Sequence, residues 1–277
     1  MDYCIEVEDL VVEAEGQRII DSVSFKVKCG EYVVVTGPSG GGKSVLLRTI
    51  SGGAGYLSGL SIKGRVYVNG VNVLEGGVKS VAGTIGVVLQ NPVNQVFNLT
   101  VEEEVAFPLE NMGLDPLAIE ERVKWSLSLL GVEDLRKKLV SELSMGQLQR
   151  VVVASIIAMK PKIMLLDEPC SHIDPASKKD FYAALKDLWK ALDLTIVVVE
   201  HELSHVLGYA TKMLLLNKRL IAYGDPIEIL SRVNVEEYGV KEPPHIKYCR
   251  LLKSKLRPIS ESEVVECLKE VFCKTSK

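Results

Sequence analysis

The sequence predicts an α/β fold built on a parallel sheet with helices on both faces. One observation is a set of short runs of consecutive apolar residues, which are typical of strands buried on both sides. These runs cover residues 32–36, 85–89, 163–167 and 195–199. The other observation is that longer helical segments separate the runs, and this alternation favours a parallel sheet. The predicted helices begin after Lys43 and cover residues 116–130, 145–159 and 175–192.

An antiparallel portion is predicted near the N-terminus. Residues 23–27 alternate between apolar and polar side chains, as in a strand with one solvated face. Asn69 and Gly70 lie between Val68 and Val71. This pair is typical of a type I′ hairpin turn, because both central positions of that turn need positive φ angles. The sequence therefore predicts antiparallel strands in addition to the parallel sheet.

Length, charge and hydropathy limit the class of protein. The chain has 277 residues, enough for one large α/β domain with an appendage. Its 33 Lys and Arg nearly balance 36 Asp and Glu, which argues against a surface devoted to binding nucleic acid. No apolar stretch approaches the roughly 18 residues that cross a bilayer. The acidic N-terminus does not match a secretory signal, so we expect the chain to stay in the cytosol.

The cysteines and histidines give no sign of a metal centre. The six cysteines contain no C-x-x-C pair, and neither His nor Cys shows the spacing of zinc ligands. Because disulfides are rare in the cytosol, we expect all six cysteines to be reduced. We expect His172, His205 and His245 to have surface or packing roles.

The C-terminal part of the chain changes character. Strand patterns stop near Pro226, so we predict a main domain over residues 1–232 and a small helical appendage over residues 233–277. Within the appendage, residues 241–257 form a basic stretch in which Glu242 is the single acid. Two interpretations stay open for this stretch, a solvated face or a docking surface for a partner or lipid headgroups. Its basic residues are Lys241, Lys247, Arg250, Lys253, Lys255 and Arg257.

A glycine-rich segment follows the first apolar run and opens a helix. It consists of Gly37, Pro38, Ser39, Gly40, Gly41, Gly42, Lys43 and Ser44. This is the pattern of a P-loop, whose backbone N–H groups curl around phosphates while the glycines allow close approach. Lys43 is expected to reach the β- and γ-phosphates, and Ser44 to place its hydroxyl on Mg²⁺. The segment therefore predicts a nucleotide-phosphate site.

Two adjacent carboxylates end the third apolar run. Asp167 occupies the position from which a strand-end carboxylate holds Mg²⁺ near a P-loop. Glu168 follows it and would point the other way, where a carboxylate can polarise the water that attacks the γ-phosphorus. We predict a metal-holding role for Asp167 and a general-base role for Glu168.

A third motif identifies a family. Leu143-Ser144-Met145-Gly146-Gln147 begins with a capping-box pattern, so it predicts a helix N-terminus with spare N–H donors that can bind an anion. With the P-loop and the two carboxylates, it resembles the LSGGQ signature of ATP-binding cassette (ABC) transporter subunits. The resemblance covers about residues 4–226. It implies an ABC-type cassette with a RecA-like parallel core and a helical subdomain at about 91–160.

The resemblance also assigns roles to single residues. Gln90 is similar to the Q-loop glutamine, which touches Mg²⁺ and the attacking water. Asp174 is similar to the D-loop aspartate, and His201 to the switch histidine that contacts the γ-phosphate. Ser144, Gly146 and Gln147 would bind the γ-phosphate held by a second ATP-binding subunit. The family therefore implies hydrolysis of Mg·ATP by a dimer with two ATP molecules between its subunits.

The sequence departs from the family at two places. Residues 11–15 contain no aromatic residue to stack on adenine, so the preference for ATP over GTP rests on the resemblance. Met145 replaces the first glycine of the signature, which places a bulky side chain beside the phosphate of the opposite subunit. We expect the site to tolerate this change.

A finer resemblance concerns the type of transporter. Residues 90–97 and 100–107, and the two prolines Pro243 and Pro244, are similar to the ATPases of energy-coupling factor (ECF) and cobalt-type uptake systems. Those systems contain two ATPase chains, a transmembrane coupling subunit and a substrate-capturing membrane protein. The resemblance implies uptake of a vitamin, Ni²⁺ or Co²⁺, at the cytoplasmic face of the membrane and without nucleic acid.

Other functions compete with this interpretation. A different ABC importer or exporter would share the same motifs. A DNA-repair ATPase would need a long heptad-bearing insertion between the P-loop and the signature, and a translation factor would need two cassettes; the sequence shows neither. A weakly hydrolysing partner in a heterodimer stays open because of Met145 and the missing aromatic residue, although Glu168 and His201 argue against it.

Overall fold

The computed structural model describes residues 3–57, 59–244 and 246–247. These residues form two sheets and seven α-helices, joined by short 3₁₀ turns. The strands are β1 (Tyr3–Ala14), β2 (Gln17–Lys28), β3 (Tyr32–Thr36), β4 (Leu60–Val68), β5 (Val71–Asn72), β6 (Ile85–Val88), β7 (Ile163–Asp167), β8 (Thr195–Val199), β9 (Lys212–Asn217) and β10 (Arg219–Gly224). The helices are α1 (Lys43–Ile50), α2 (Val73–Gly76), α3 (Val101–Asn111), α4 (Pro116–Leu129), α5 (Met145–Ala158), α6 (Pro175–Leu192) and α7 (Pro226–Arg232).

The central sheet has the order β10-β9-β3-β8-β7-β6. Its strands pair in parallel except for β10, which pairs antiparallel with β9. The four predicted strands are confirmed, and only the run at 85–89 ends one residue early. Because the parallel strands share one carboxyl edge, the segments that follow β3, β6, β7 and β8 meet there.

Burial on both faces explains why these strands are continuously apolar. Val33 and Val35 of β3 belong to the buried cluster that includes α1 and the antiparallel sheet, whereas Val34 belongs to the cluster on the opposite face, which includes α5 and α6. All five residues of β3 are buried. The helix prediction is confirmed for α1, α4, α5 and α6. The sheet therefore forms a rigid middle layer beneath the P-loop.

The antiparallel sheet has the order β2-β1-β4-β5. Its predicted hairpin is confirmed, since Asn69 and Gly70 have φ angles of 48° and 80° and Val68 pairs with Val71. In β2 the buried residues Val23 and Val27 alternate with exposed neighbours. This alternation fits a sheet with one covered face.

The helix α3 was not among the predicted helices. It begins at a capping box in which Thr100 Oγ1 accepts from the Glu103 N–H and Glu103 Oε2 accepts from the Thr100 N–H. Buried Glu104 accepts hydrogen bonds from the N–H groups of Phe97 and Asn98, both at 2.9 Å. The helix therefore fixes the segment that leads from β6. The helical subdomain at about 91–160 stays a prediction, although α3, α4 and α5 pack on one another.

The prediction that all cysteines are reduced is wrong for two of them. Cys4 and Cys29 form a disulfide, with their Cα atoms 5.0 Å apart. The antiparallel pairing of β1 with β2 places Tyr3 opposite Lys28 and so brings the two cysteines together. Cys170 is buried and free, as predicted. The other three cysteines lie outside the described residues.

The described part of the C-terminal segment packs on the cassette. Val235, Val240 and Ile246 are buried in the same cluster as the central sheet, and Lys241 forms a parallel bridge with Glu202. The boundary at residue 232 stays a prediction, and most of the basic stretch, together with His245, lies outside the described residues. No helix within the described residues is long and apolar enough to span a membrane.

Candidate functional site

The P-loop is shaped by close contacts that only glycine permits. Gly37 has a φ of 144°, and a Cβ atom there would lie 1.9 Å from the carbonyl oxygen of Leu216 in β9. Gly42 has a φ of 95°, and its Cβ would lie 2.8 Å from the carbonyl oxygen of Ile19. Both contacts are to backbone, so a side chain could not be accommodated by a change of rotamer. The loop leaves β3 as a fixed cradle that opens directly into α1.

Lys43 is held across this loop. Its Nζ atom donates to the carbonyl oxygens of Gly37 at 2.9 Å and Pro38 at 2.8 Å. The side chain is buried, and burial lowers the pKa of Lys43 while the negative charges of Glu168 and Asp167 act in the opposite direction. An ammonium group is therefore placed inside the cradle, next to the two carboxylates.

Ser44 and Asp167 form the second part of the site. Ser44 Oγ donates to Asp167 Oδ1 at 3.0 Å, which joins the first turn of α1 to the end of β7. Burial, and then the charge of Glu168, raise the pKa of Asp167, and the Ser44 hydrogen bond partly offsets this. A hydroxyl and a carboxylate are hard oxygen ligands, and Mg²⁺ takes few protein ligands when phosphates supply the others. This pair fits a Mg²⁺ ion bound with a nucleotide.

Glu168 lies between two polar side chains from the neighbouring strands. Its Oε2 accepts from Gln90 Nε2 at 3.1 Å, and its Oε1 is 3.0 Å from His201 Nε2. Gln90 follows β6, Glu168 follows β7 and His201 follows β8, so the order of the sheet brings the three together. Glu168 has a φ of 46°, an unusual value for a residue other than glycine. Its N–H donates to the carbonyl oxygen of Val199 at 3.2 Å.

The signature segment is built as its pattern predicts. Ser144 Oγ accepts from the Gln147 N–H at 3.3 Å, and Gln147 Oε1 accepts from the Ser144 N–H at 3.0 Å. Gly146 faces α6, since a Cβ there would lie 3.3 Å from Ser177 Cβ. Asp174 caps α6 by accepting from the N–H of Ser177 at 3.0 Å, and this hydrogen bonding lowers its pKa. Within the described residues, no hydrogen bond joins the signature to the P-loop.

A cavity beside the P-loop lies towards β10. Its volume is about 660 Å³, and the Lys218 N–H donates to the carbonyl oxygen of Gly41 at its border. Its described lining contains no aromatic side chain. The lining residues are Gln17, Arg18, Asp21, Asn217, Lys218 and Arg219.

Sequence reasoning missed one residue of this region. Glu200, next to His201, is 4% exposed, and its carboxylate contacts Tyr182, Lys178 and the backbone N–H of His201. Its place directly after an apolar strand and before His201 was the available signal. Of the histidines, His205 packs parallel to the ring of Tyr182, which confirms its predicted packing role.

Comparisons with known proteins identify the family. The family model described as ABC transporter matches residues 20–171, more than half of the chain. This chain belongs to the ABC transporter family. It is 34% identical to an ABC transporter ATP-binding protein of Pyrococcus horikoshii over 97% of both chains. It is also 33% identical to one of Methanosarcina acetivorans, of which it spans 43%.

Solved structures support the same assignment. CbiO1 from Clostridium perfringens, described as part of the ABC transporter complex cbiONQ, has a TM-score of 0.76 and 30% identity over 84% of this chain and 92% of that chain. An ATP-binding cassette of an ABC transporter in its ADP conformation has a TM-score of 0.74 and 25% identity, covering 87% of this chain and all of that chain. The fold is therefore the P-loop ABC cassette. The chain is an ATP-binding subunit of a transporter, and ABC cassettes are ATPases.

Proposed function

We propose that this ABC cassette binds Mg·ATP in its P-loop and hydrolyses it with Glu168 as the general base. The observation that carries the proposal is the placement of the Glu168 carboxylate, which contacts Gln90 and His201 and lies beside the Ser44–Asp167 pair. A carboxylate in this position can accept a proton from a water molecule that attacks the γ-phosphorus.

The phosphate-binding residues act through position and charge. The N–H groups of the loop from Gly37 to Ser44, which includes Pro38, Ser39, Gly40 and Gly41, surround the phosphates. Lys43 supplies a positive charge from inside the cradle, and Ser44 and Asp167 would hold Mg²⁺ with Gln90 near it. When bound, Mg²⁺ neutralises charge on the phosphate oxygens.

The hydrolytic residues are proposed to contact two groups, the attacking water and the γ-phosphate. Glu168 takes the proton of the attacking water. Gln90, which donates a hydrogen bond to Glu168 Oε2, lies beside this carboxylate and is proposed to orient the water. His201 contacts Glu168 Oε1 and lies where it can hydrogen bond to the γ-phosphate. Glu168 directly follows β7, and Gln90 and His201 each lie two residues beyond the end of a strand, so the sheet limits how far these groups reorganise during the reaction.

A second ATP-binding subunit is proposed to complete the site. The segment of Ser144, Gly146 and Gln147 forms the capped N-terminus of α5, and the N–H groups of such a terminus favour a phosphate. Asp174 lies at the start of α6 beside this segment and is proposed to face the opposite site. Two Mg·ATP molecules would then lie between the P-loop of one subunit and the signature of the other.

We further propose an ECF-type uptake system as the setting. Four exposed apolar residues lie between Gln90 and the middle of α3. They offer a docking surface for the transmembrane coupling subunit. The four residues are Val93, Phe97, Leu99 and Phe107, with the rings of Phe97 and Phe107 in contact. The likeness to a cbiONQ component supports this setting. The chain would work at the cytoplasmic face of the membrane, with a substrate-capturing membrane protein taking up a vitamin, Ni²⁺ or Co²⁺.

Paired substitutions test the proposed chemistry. Lys43→Ala removes the positive charge that contacts the phosphates, so we expect ATP affinity to fall by about tenfold or more.

Glu168→Gln removes the base but keeps the side-chain volume, so turnover should fall by roughly 10² or more while affinity for ATP is kept. Equilibrium titration with ATP and a phosphate-release assay measure the two effects. Unchanged turnover by Glu168→Gln contradicts the assignment of the base, and unchanged affinity of Lys43→Ala contradicts the P-loop role.

A further inference from the structure

Glu200 is a buried carboxylate beside the hydrolytic residues and has no part in the mechanism proposed above. It is 4% exposed, and a buried carboxylate is costly unless it is paired and hydrogen-bonded. Its Oε1 accepts from the hydroxyl of Tyr182 and lies 3.6 Å from Lys178 Nζ. Its Oε2 accepts from the backbone N–H of His201 at 3.2 Å. One end of the carboxylate is therefore held by side chains, and the other holds the backbone of His201.

The two side chains that hold Glu200 come from one rigid surface. Lys178 and Tyr182 lie four residues apart on α6, so they project from the same face of the helix. Tyr182 is 1% exposed and its ring stacks on His205, which limits its movement. Burial raises the pKa of Tyr182 well above its ordinary value, so the hydroxyl stays protonated and remains a donor. Lys178 also pairs with Glu202 at 3.3 Å.

The hydrogen bond from the His201 N–H to Glu200 holds the backbone of a residue whose side chain must be placed accurately. β8 ends at Val199 and the Glu200 N–H still donates to the carbonyl oxygen of Val35 in β3, so His201 is the first residue beyond these backbone hydrogen bonds. Its imidazole must reach the Glu168 carboxylate, 3.0 Å away, from a side chain that is one-third exposed. A displacement of about 1 Å at a catalytic group can reduce a rate by up to about 10²-fold. Anchoring the backbone of His201 therefore keeps its imidazole within hydrogen-bonding distance of Glu168.

We propose that Glu200 is a positioning residue for His201, and that Tyr182 and Lys178 of α6 hold Glu200 in place. The inference rests on the proposed role of His201 in hydrolysis. Because Asp174 caps the N-terminus of α6, the same helix connects the segment proposed to face the opposite subunit with the anchor of His201.

Single substitutions give the first test. Tyr182→Phe removes only the hydroxyl, and Glu200→Leu removes both acceptors, whereas Glu200→Gln keeps one. We expect turnover to fall roughly tenfold for Tyr182→Phe and further for Glu200→Leu, with KM for ATP within about twofold of the native value. Glu200→Gln should recover part of the loss. Tyr223→Phe is a matched control, because its hydroxyl donates to the Lys26 carbonyl oxygen away from Glu168 and His201.

A double-mutant cycle separates positioning from a general structural effect. In a His201→Ala background the anchored ring is gone, so Tyr182→Phe should cause no further loss of turnover. The melting temperature of each variant shows that it is folded, and an ATP titration shows that it binds the nucleotide. Equal losses with and without His201, or native turnover by Tyr182→Phe, would overturn the positioning role. Native turnover by His201→Ala would instead contradict the proposed function itself, and with it this inference.

Discussion

At the scale of single residues, the site places charged groups where water is scarce. Lys43 and Asp167 are both buried. Burial lowers the pKa of Lys43 and raises the pKa of Asp167, so it favours the uncharged form of each side chain. In the absence of nucleotide these charges cost stability, which is a common trade between activity and stability at functional sites. Binding of phosphates and Mg²⁺ would offset that cost. The sequence identified these residues because the spacing of the P-loop and the strand-end carboxylates is readable without a structure.

Asp167→Asn tests this cost. Because the pKa of Asp167 is raised on folding, the folded protein binds a proton more tightly than the unfolded chain at this group. Its contribution to stability therefore falls as pH rises from the ordinary aspartate range through the raised pKa, and stays low above it. We expect Asp167→Asn to melt at a higher temperature than the native protein at neutral pH and to lose Mg²⁺-dependent nucleotide binding.

The control for this prediction is Asp134→Asn, at an exposed position. It should leave the melting temperature unchanged. A melting temperature of Asp167→Asn at or below the native one, measured by calorimetry without nucleotide, would contradict the claim that this carboxylate is held at a cost.

At the scale of elements, the sequence predicted the buried strands to within one residue but missed other features. β3, β7 and β8 are continuous apolar runs because both faces are covered, and this pattern can be read directly. α3 was missed because three consecutive glutamates interrupt its apolar positions, although the capping box at Thr100 was present. The contacts of Glu200 depend on the packing of α6 against β8, which no local pattern specifies.

The Cys4–Cys29 disulfide was missed for a related reason. The two residues are 25 positions apart, and only the register of β1 against β2 brings them together. Local sequence gave no information on that register, so the pair could not be chosen from six cysteines.

Removing this cross-link should lower stability. Closing a loop of this length removes conformations of the unfolded chain, which is worth about 3 kcal/mol of the free energy of unfolding. We expect Cys4→Ser, Cys29→Ser and the double variant to lose the same amount, measured by guanidinium unfolding. Adding a reductant should destabilise the native protein but not the double variant. If the reductant leaves native unfolding unchanged, the two strands are not cross-linked in solution.

At the scale of the whole molecule, no hydrogen bond among the described residues joins the signature segment to the P-loop, and the proposed function places the two in different subunits of a pair. The P-loop, Asp167, Glu168, Gln90 and His201 converge at the carboxyl edge of the central sheet. The signature at Ser144 instead packs beside the start of α6. The sequence identified the residues of both groups, whereas their assembly into one site is proposed to need a second subunit. We therefore predict that nucleotide binding and association of the subunits are linked.

The measurement that tests this central claim most directly is the mass of the Glu168→Gln protein by light scattering, with and without Mg·ATP. This variant binds the nucleotide but hydrolyses it slowly, so it should accumulate the closed pair. We predict a monomer without nucleotide and a dimer with Mg·ATP, and a return to monomer when Ser144→Arg is added, because the bulky side chain blocks the phosphate. A protein that is saturated with Mg·ATP and remains a monomer would contradict the account.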